Sequence, residues 1–324
     1  MAAAPLDEAA CFAVRSCPAC GKGLPTAPEL RGSDRLHGTP GRFEVVVCHA
    51  CGTGLTLPVV GDDELGAFYP DDYNAYALPG NPLLRAAATL LFRWRYWRGL
   101  RRPPLAALIG RPPGRLLDVG GGRGDLGVVL RAHGWRVTSL DPSEAACAEA
   151  RERGIDSACG TLTRPPAELG GGYDAVVFQH SLEHVVDPEA DVRAALERLA
   201  DDGLLLVTLP NFGCWQRRRF GADWFHLDLP RHRTHFTDRG LEALLRRCGA
   251  IAVELSTSTS ADGLPMSLQY RRLRRRIGAG PGRYAAAAAS LLAAPATAGL
   301  SALAGAGDIL HAHARKPVAE ETAA

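Results

Sequence analysis

One short stretch of the sequence, an apolar run that ends in consecutive glycines, constrains the fold more than any other. Residues 116–124 read Leu-Leu-Asp-Val-Gly-Gly-Gly-Arg-Gly, and a helical pattern starts at residue 125. Glycine lets the backbone turn tightly and approach another molecule closely, because no Cβ stands in the way. A helix that starts there presents unpaired N–H groups to the same point. The segment therefore predicts a strand, a ligand-binding turn and a helix in direct succession.

Strands and helices alternate along the rest of the chain. Short apolar runs predict strands at 115–119, 135–140, 155–159, 173–178, 203–209, 250–256 and 308–315. Stretches with helical periodicity predict helices at 125–133, 143–153, 189–201 and 237–247. This alternation predicts an α/β fold with a doubly wound, mostly parallel sheet that helices cover on both faces.

Acidic residues near the glycine-rich turn restrict the ligand that it can bind. Asp141 ends the second strand, where an acid can hold ribose hydroxyls, and Asp118 lies inside the first strand. Residues 122–127, Gly-Arg-Gly-Asp-Leu-Gly, formally fit the dinucleotide fingerprint. A pyrophosphate, however, needs a helix N-terminus without negative charge, and Asp125 stands there. Carboxylates suit a nucleoside that carries a sulfonium and an ammonium group better.

The pattern Asp118-x-Gly120-x-Gly122-x-Gly124 resembles the first motif of class I S-adenosylmethionine-dependent methyltransferases. The resemblance implies a Rossmann-like, seven-stranded sheet whose last strand is antiparallel, with S-adenosylmethionine as cofactor. The residues that it implies for cofactor binding are Asp118, Gly120, Gly122, Gly124, Asp141, Gly160, Gln179 and His180.

The segment after the fourth predicted strand, residues 179–188, reads Gln-His-Ser-Leu-Glu-His-Val-Val-Asp-Pro. Ligands of open α/β sheets lie beyond the carboxyl ends of the strands, so this segment should face cofactor and acceptor. Its Leu-Glu-His tripeptide resembles the post-strand motif of small-molecule methyltransferases. That resemblance makes His184 a candidate base, and the pKa of histidine suits proton removal near neutral pH. The alternative is that His184 caps a turn or bonds a carbonyl.

A second group of aromatic and charged side chains follows the fifth predicted strand. Residues 224–237 read Trp-Phe-His-Leu-Asp-Leu-Pro-Arg-His-Arg-Thr-His-Phe-Thr. They resemble a segment of bacterial methyltransferases found with polysaccharide and secondary-metabolite pathways. We expect His226, His232 and Asp228 to shape the acceptor pocket, and His235 is a further catalytic candidate. The alternatives are a metal site and a plain surface loop.

Two CxxC pairs, Cys17/Cys20 and Cys48/Cys51, lie near the N-terminus, and each is followed by glycine. Four thiolates suit tetrahedral zinc, and a closed four-cysteine site is structural. A module of about forty residues has little core of its own, so zinc would supply much of its folding energy. The other cysteines lack paired spacing and are expected to be small apolar residues.

The chain divides into segments of different composition. We predict a leader at 1–16, a zinc-binding module at 17–56, a connector with an amphipathic helix at 57–104, a methyltransferase domain at 105–315 with a helical insertion at 262–306, and a disordered tail at 316–324. This layout resembles that of deoxysugar C-methyltransferases, in which a connector tyrosine serves catalysis. Tyr69, Tyr73 and Tyr76 are candidates for that role, and we select Tyr73 as catalytic.

Charge and targeting signals bear on the partners. The net charge is +2, and acidic residues stand where a secretion signal needs positive charge, so we expect a cytoplasmic protein with a small-molecule acceptor and no nucleic-acid partner. Arginines at 271–276 and in the 81–102 helix would permit peripheral contact with anionic lipid. The alternatives are an RNA methyltransferase with a zinc ribbon and a non-catalytic binding protein. The sequence leaves open the oligomeric state, the acceptor, and C-, O- or N-methylation.

Overall fold

The computed structural model describes residues 15–69, 100–101, 103–260, 262–273 and 307–318. Most of the predicted leader, connector helix and helical insertion lies outside these residues, as do Tyr73 and residues 319–324 of the predicted tail. Within the described ranges, every helix is too short or too polar to span a bilayer.

The strands of the described residues, in chain order, are β1 (Leu30–Gly32), β2 (Phe43–Val47), β3 (Gly54–Leu57), β4 (Arg115–Val119), β5 (Arg136–Asp141), β6 (Asp156–Cys159), β7 (Tyr173–Gln179), β8 (Leu199–Pro210), β9 (Thr234–His235), β10 (Ile251–Ser258) and β11 (Ile309–Arg315). The helices there are α1 (Asp62–Leu65), α2 (Ala106–Ile109), α3 (Asp125–Arg131), α4 (Glu144–Glu152), α5 (Pro188–Arg198), α6 (Trp215–Phe220), α7 (Asp238–Arg247) and α8 (Gly263–Leu273).

The larger sheet has seven strands in the order β10-β11-β8-β7-β4-β5-β6. Its neighbours from β8 to β6 pair in parallel, whereas β11 pairs antiparallel with both β10 and β8. The predicted doubly wound, mostly parallel sheet with an antiparallel last strand is confirmed. From β4 the chain winds outward to β5 and β6, and then returns to place β7 and β8 on the other side. The crevice between β4 and β7 is therefore the point at which such sheets bind ligands.

Local sequence explains where the elements begin and end. The central strands are continuous apolar runs, and Leu117 and Val176 are fully buried because helices cover both faces of the sheet. Helix α5 begins at a proline, and the side chain of Asp187 caps it by accepting from the N–H groups of the next turn. The helix predicted at 189–201 ends at Arg198, because residues 199–201 belong to the long strand β8.

A second sheet, with the order β1-β2-β3-β9, has four antiparallel strands. Three of its strands come from the cysteine-bearing N-terminal segment, for which the sequence predicted no sheet. The fourth, β9, belongs to the 224–237 segment, and it pairs Gly54 with His235 and Leu55 with Thr234. The N-terminal segment and the segment with the candidate acceptor residues thus share one sheet.

Candidate functional site

The glycine turn, residues 120–124, connects β4 to α3 at the crevice. Gly120, Gly122 and Gly124 have φ values of 70°, 53° and 77°, which lie in the left-handed region that favours glycine. A Cβ on Gly120 would lie 2.5 Å from the Cβ of Ser181, whereas a Cβ on Gly122 would meet no atom within 4 Å. The turn therefore packs closely on one side and leaves open space on the other.

Two carboxylates surround this turn. Asp141 Oδ2 accepts a hydrogen bond of 2.9 Å from the N–H of Gly122, and Oδ1 accepts one of 2.9 Å from Ser143. Asp118 is 2% exposed, and its Oδ2 atom has no hydrogen-bond partner among the described residues. Burial, followed by the charges of Asp141 and Asp125, raises the pKa of Asp118 to about 7. A buried oxygen of this kind could be satisfied by a cationic ligand.

The first helical residue, Asp125, does not face the turn's open side as the sequence suggested. One of its oxygens accepts from Nε of Arg123 at 2.8 Å, and the other accepts from Nη2 of Arg153 at 2.6 Å. Two guanidinium groups thus neutralise this carboxylate. The preference of the turn for a cationic ligand therefore depends on Asp118 and Asp141 alone.

The remaining cofactor candidates lie around the same edge of the sheet. The N–H of Gly160 donates to the backbone oxygen of Asp141 at 3.0 Å. Gln179 ends β7, and its Oε1 atom is buried without a partner in the described part of the chain. His180 follows with its side chain 40% exposed. Gly124 ends the glycine turn as the N-cap of α3, and a Cβ added there would lie 3.1 Å from Cγ1 of Ile155.

His184 lies where the segment after β7 meets the 224–237 segment. Its Nδ1 atom is 3.1 Å from Oη of Tyr69 and 3.1 Å from the backbone oxygen of Arg231. Its ring makes an edge-to-face contact with His232, with the ring centroids 4.7 Å apart. Burial, and then the neighbouring His232, lower the pKa of His184 to about 4. The imidazole is therefore neutral at pH 7 and can accept a proton.

Of the connector tyrosines, Tyr69 lies within the described residues and contacts His184. The predicted catalytic Tyr73 lies outside the described residues. A tyrosine-rich connector indicated the residue type, but the sequence carries no signal that selects one tyrosine of the three. Burial, followed by the charge of Asp228, raises the pKa of Tyr69, so its hydroxyl stays protonated.

His235 occupies a different environment from His184. It lies in β9 with 4% exposure, its Nε2 atom is 2.9 Å from Oγ1 of Thr56, and its ring packs on Phe212. Burial and the neighbouring His232 lower its pKa to about 3. The ring centroids of His235 and His232 are 6.4 Å apart, which is farther than the 4.7 Å between His184 and His232.

Comparison with known proteins adds to this geometry. Residues 91–255 match the model of a family described as a methyltransferase domain, which covers just over half of the chain. The chain belongs to this methyltransferase family. The matched region contains the glycine turn, the segment after β7 and the 224–237 segment.

Curated relatives of this methyltransferase-family chain include ubiquinone biosynthesis O-methyltransferases. The protein of Xanthomonas campestris pv. campestris (strain B100) is 31% identical over 142 residues, which are 41% of this chain and 59% of that protein. The protein of Caulobacter sp. (strain K31) is 35% identical over 103 residues, which are 30% of this chain and 41% of that protein. The chain thus spans less than two thirds of the length of these relatives. A solved structure, phosphoethanolamine N-methyltransferase 2 of Haemonchus contortus with S-adenosyl-L-methionine, aligns with a TM-score of 0.49 at 15% identity and covers 73% of this chain and 58% of that one.

The four paired cysteines of this methyltransferase-family chain precede the matched region and lie together. The Sγ atoms of Cys17 and Cys51 are 3.6 Å apart, as are those of Cys20 and Cys48, and none of the four forms a disulfide. Four thiolates at about 2.3 Å from a tetrahedral zinc ion are about 3.8 Å from one another. The cysteine cluster therefore has the donor set and nearly the spacing that zinc requires.

Sequence reasoning missed Arg231, which joins the N-terminal segment to the methyltransferase domain. It is fully buried, and its guanidinium group pairs with Asp34 at 2.8 Å and with Asp228 at 2.6 Å. It also donates to the backbone oxygen of Phe68 at 2.9 Å. Asp34 is 197 residues away in sequence, so no local pattern could have indicated the pair.

Proposed function

We propose that the chain transfers a methyl group from S-adenosylmethionine to a small-molecule acceptor by in-line displacement, with His184 as the base. The observation that carries the proposal is the glycine turn at the crevice between β4 and β7, where the buried Oδ2 atom of Asp118 has no hydrogen-bond partner among the residues that the structure describes. The family match supports it. The donor bound there would supply an electrophilic methyl group on a positively charged sulfur.

The residues at the turn fit such a cofactor by charge and by space. The open side of Gly122 admits a nucleoside close to the backbone, and Asp141 is held by two backbone N–H groups at the end of β5. We assign Asp141 to the ribose hydroxyls and Asp118 to the cationic part. Within the described ranges Asp118 Oδ2 has no hydrogen-bond partner, so a cation would recover part of the cost of its burial.

The residues after β7 would orient and deprotonate the acceptor. The carbonyl of Arg231 can only accept a hydrogen bond, so Nδ1 of His184 donates to it and Nε2 carries the lone pair. Displacement at a methyl carbon is accelerated mainly by alignment and by exclusion of water. The packed rings of His184 and His232 would form one wall of the acceptor site, where they would help to align the acceptor and to exclude water.

The acceptor class follows from the relatives and from the resemblances. The curated relatives are named for an O-methylation in ubiquinone biosynthesis, which supports a small-molecule acceptor. The resemblance of residues 224–237 to polysaccharide and secondary-metabolite enzymes favours a sugar, a glycan precursor or a secondary metabolite. Peripheral membrane contact stays a prediction. The structure describes only residues 271–273 of the arginine-rich segment 271–276.

Calorimetry with S-adenosylmethionine tests the cofactor assignment. We expect the wild type to bind, and Asp141→Ala to raise the Kd by roughly tenfold or more, since a hydrogen bond to a charged group contributes about 1.5–3 kcal/mol. Asp156→Asn, at the opposite end of β6, should bind as the wild type does. A wild-type protein that binds no S-adenosylmethionine would refute the proposal.

Transfer of a radioactive methyl group to pools of nucleotide sugars and phenolic metabolites tests the chemistry. We expect His184→Gln to bind S-adenosylmethionine normally and to lose transfer by about 10²–10⁴-fold, which is the usual contribution of a general base. Full transfer by this variant would remove His184 from the mechanism.

A further inference from the structure

We infer that Arg231 is a positioning residue that fixes the imidazole of His184, and that Asp34 of the N-terminal segment takes part in this task through Arg231. The positioning stands on hydrogen bonds among the described residues, and its effect on methyl transfer rests on the proposed function. Arg231 is fully buried, so it acts on the reaction through the residues that it holds.

The guanidinium group of Arg231 is bonded through all three of its nitrogen atoms. Nη1 and Nη2 donate to the two oxygens of Asp34 at 3.1 and 2.8 Å, which makes a bidentate pair. Nε lies 3.1 Å from each oxygen of Asp228, and Nη2 donates to Oδ1 of Asp228 at 2.6 Å. Nη1 also donates to the backbone oxygen of Phe68 at 2.9 Å. A planar group with this many directed bonds has one orientation, which fixes the chain at residue 231.

The carboxylate of Asp34 is itself fixed within the N-terminal segment. Asp34 is 3% exposed, and its two oxygens accept hydrogen bonds from the backbone N–H groups of Leu36, His37 and Thr39 at 3.0, 3.0 and 3.1 Å. Burial raises the pKa of Asp34, but the guanidinium group of Arg231 and these N–H groups lower it to about 2. Asp34 therefore stays charged at neutral pH and gives Arg231 a rigid partner.

The bonds of Arg231 lead to His184 by two routes. The backbone oxygen of Arg231 lies 3.1 Å from Nδ1 of His184. Phe68, whose carbonyl accepts from the guanidinium group, precedes Tyr69, and Oη of Tyr69 lies 3.1 Å from the same Nδ1 atom. Both oxygens near Nδ1 thus belong to backbone that one guanidinium group holds. They keep the hydrogen on Nδ1 and leave the lone pair on Nε2, where a base needs it.

A second ion pair joins the same two parts of the chain and provides a matched control. Nη1 of Arg35 is 2.7 Å from Oδ1 of Asp223, and Nη2 donates to the backbone oxygen of Tyr270 at 2.7 Å. Among the described residues, no hydrogen bond or ion pair links Arg35, Asp223 or Tyr270 to His184. Arg35→Gln therefore removes a tether between the two parts without changing the bonds of His184.

Nitrogen-15 NMR of the full-length protein with labelled histidine measures the positioning without any need for activity. We expect His184 of the wild type, assigned with His184→Gln, to carry its hydrogen on Nδ1. Arg231→Lys keeps the charge but not the bidentate geometry, and Asp34→Asn removes the charge of the partner. In both variants the share of the Nε2–H form should rise, because Nδ1 loses its fixed acceptors. Arg35→Gln should give the wild-type spectrum.

Radioactive methyl transfer to the pools of nucleotide sugars and phenolic metabolites measures the consequence. At saturating S-adenosylmethionine, Arg231→Lys and Asp34→Asn should each lower the rate at least tenfold, while the Kd of the cofactor and the rate of Arg35→Gln stay unchanged. In a His184→Gln background neither variant should lower the rate further, since a residue that acts through His184 has nothing left to position. A general loss of packing would instead lower the rate by the same factor in both backgrounds.

Calorimetry with S-adenosylmethionine identifies the variants that are folded, and Asp34→Asn decides alone if Arg231→Lys does not bind. The inference is overturned if the folded variants keep the Nδ1–H form of His184, if Arg35→Gln lowers the rate as much as they do, or if their losses multiply with that of His184→Gln. A changed tautomer together with full transfer by His184→Gln would support the positioning and refute His184 as the base. A wild type that binds no S-adenosylmethionine would refute the proposed function, while the histidine spectra would still decide on the positioning.

Discussion

Asp118 places a carboxylate inside a buried parallel strand, where most side chains are apolar. Its Oδ2 atom lacks a hydrogen-bond partner among the described residues, and the neighbouring charge on Asp141 adds repulsion. Both effects favour the protonated form, so the pKa of Asp118 rises to about 7. The free protein therefore loses stability as Asp118 ionises, and a bound cation would favour the ionised form.

This cost predicts how Asp118→Asn changes stability with pH. The folded protein binds a proton at Asp118 more tightly than the unfolded chain does, so the stabilisation is complete below pH about 4 and is lost as pH rises through about 7. The asparagine does not titrate. We expect the variant to gain about 2–3 kcal/mol relative to the wild type between pH 5 and pH 8.

Urea unfolding of the cofactor-free proteins at pH 5, 6, 7 and 8 measures this difference. Asp156→Asn, which replaces an exposed carboxylate on β6, serves as the control and should follow the wild type at each pH. A constant difference between Asp118→Asn and the wild type would show that Asp118 is ionised throughout.

At the scale of single residues, the sequence predicted what depends on local pattern. The glycines with positive φ and the two acids at strand ends follow from the order of residues in one strand–turn–helix unit. The sequence could not reveal the second ion pair of Asp125, because Arg153 is 28 residues away. Nor could it select Tyr69, whose contact with His184 spans 115 residues. Partners of side chains are set by the fold and not by spacing.

At the scale of elements, the two sheets differ in how far local sequence pattern predicts their strands. The central strands of the large sheet were predicted because helices bury both of their faces, which produces continuous apolar runs. Strand β9 has only two residues and carries no periodicity. It is a strand because β3 offers unpaired backbone groups beside it, which a sequence pattern does not record.

The β3–β9 pairing predicts that Thr56→Val weakens the candidate acceptor site. Thr56 Oγ1 donates to the backbone oxygen of His232 at 2.7 Å and lies 2.9 Å from Nε2 of His235. Valine keeps the shape but leaves these buried groups without a partner, which costs about 1–3 kcal/mol. We expect lower stability in urea and slower methyl transfer, with an unchanged Kd for S-adenosylmethionine.

Thr234→Val is the matched control for Thr56→Val, since both threonines are about 1% exposed and belong to the same pair of strands. The hydroxyl of Thr234 has no partner within the described residues, so its removal should be neutral or stabilising. Equal losses in the two variants would contradict the assigned role of the Thr56 hydroxyl.

At the scale of the whole molecule, the N-terminal module and the methyltransferase domain share one hydrophobic core. Cys17, Cys48 and Cys51 are buried in the same cluster as Leu241 and Leu244 of helix α7. Hydrogen bonds follow the same boundary: Thr237, the cap of α7, donates to the backbone oxygen of Cys51 at 2.6 Å, and Arg247 donates to that of Ala19 at 2.6 Å. The sequence predicted a separate zinc-binding module. The spacing of the cysteines indicates which residues share a metal site, but it carries no information about the helix that packs against that site.

This shared core predicts the effect of disrupting the cysteine cluster with Cys48→Ser. If zinc holds the cluster, the variant should lose one zinc per chain and become sensitive to protease within residues 17–56. The glycine turn takes part in none of the contacts just described, so the Kd for S-adenosylmethionine should not change. Methyl transfer should fall by about 100-fold, because small displacements of catalytic groups cost about that much.

Elemental analysis, calorimetry and radioactive methyl transfer on the same preparations test this expectation. A serine variant is preferable to chelation, since it changes a single thiol and leaves every other side chain intact. Cys248→Ser, a thiol outside the cluster, should keep its zinc and its transfer rate. Loss of cofactor binding together with transfer would mean that the cluster supports the whole fold. Transfer at the wild-type rate without the zinc would mean that the segments with the candidate acceptor residues hold their positions independently of the module.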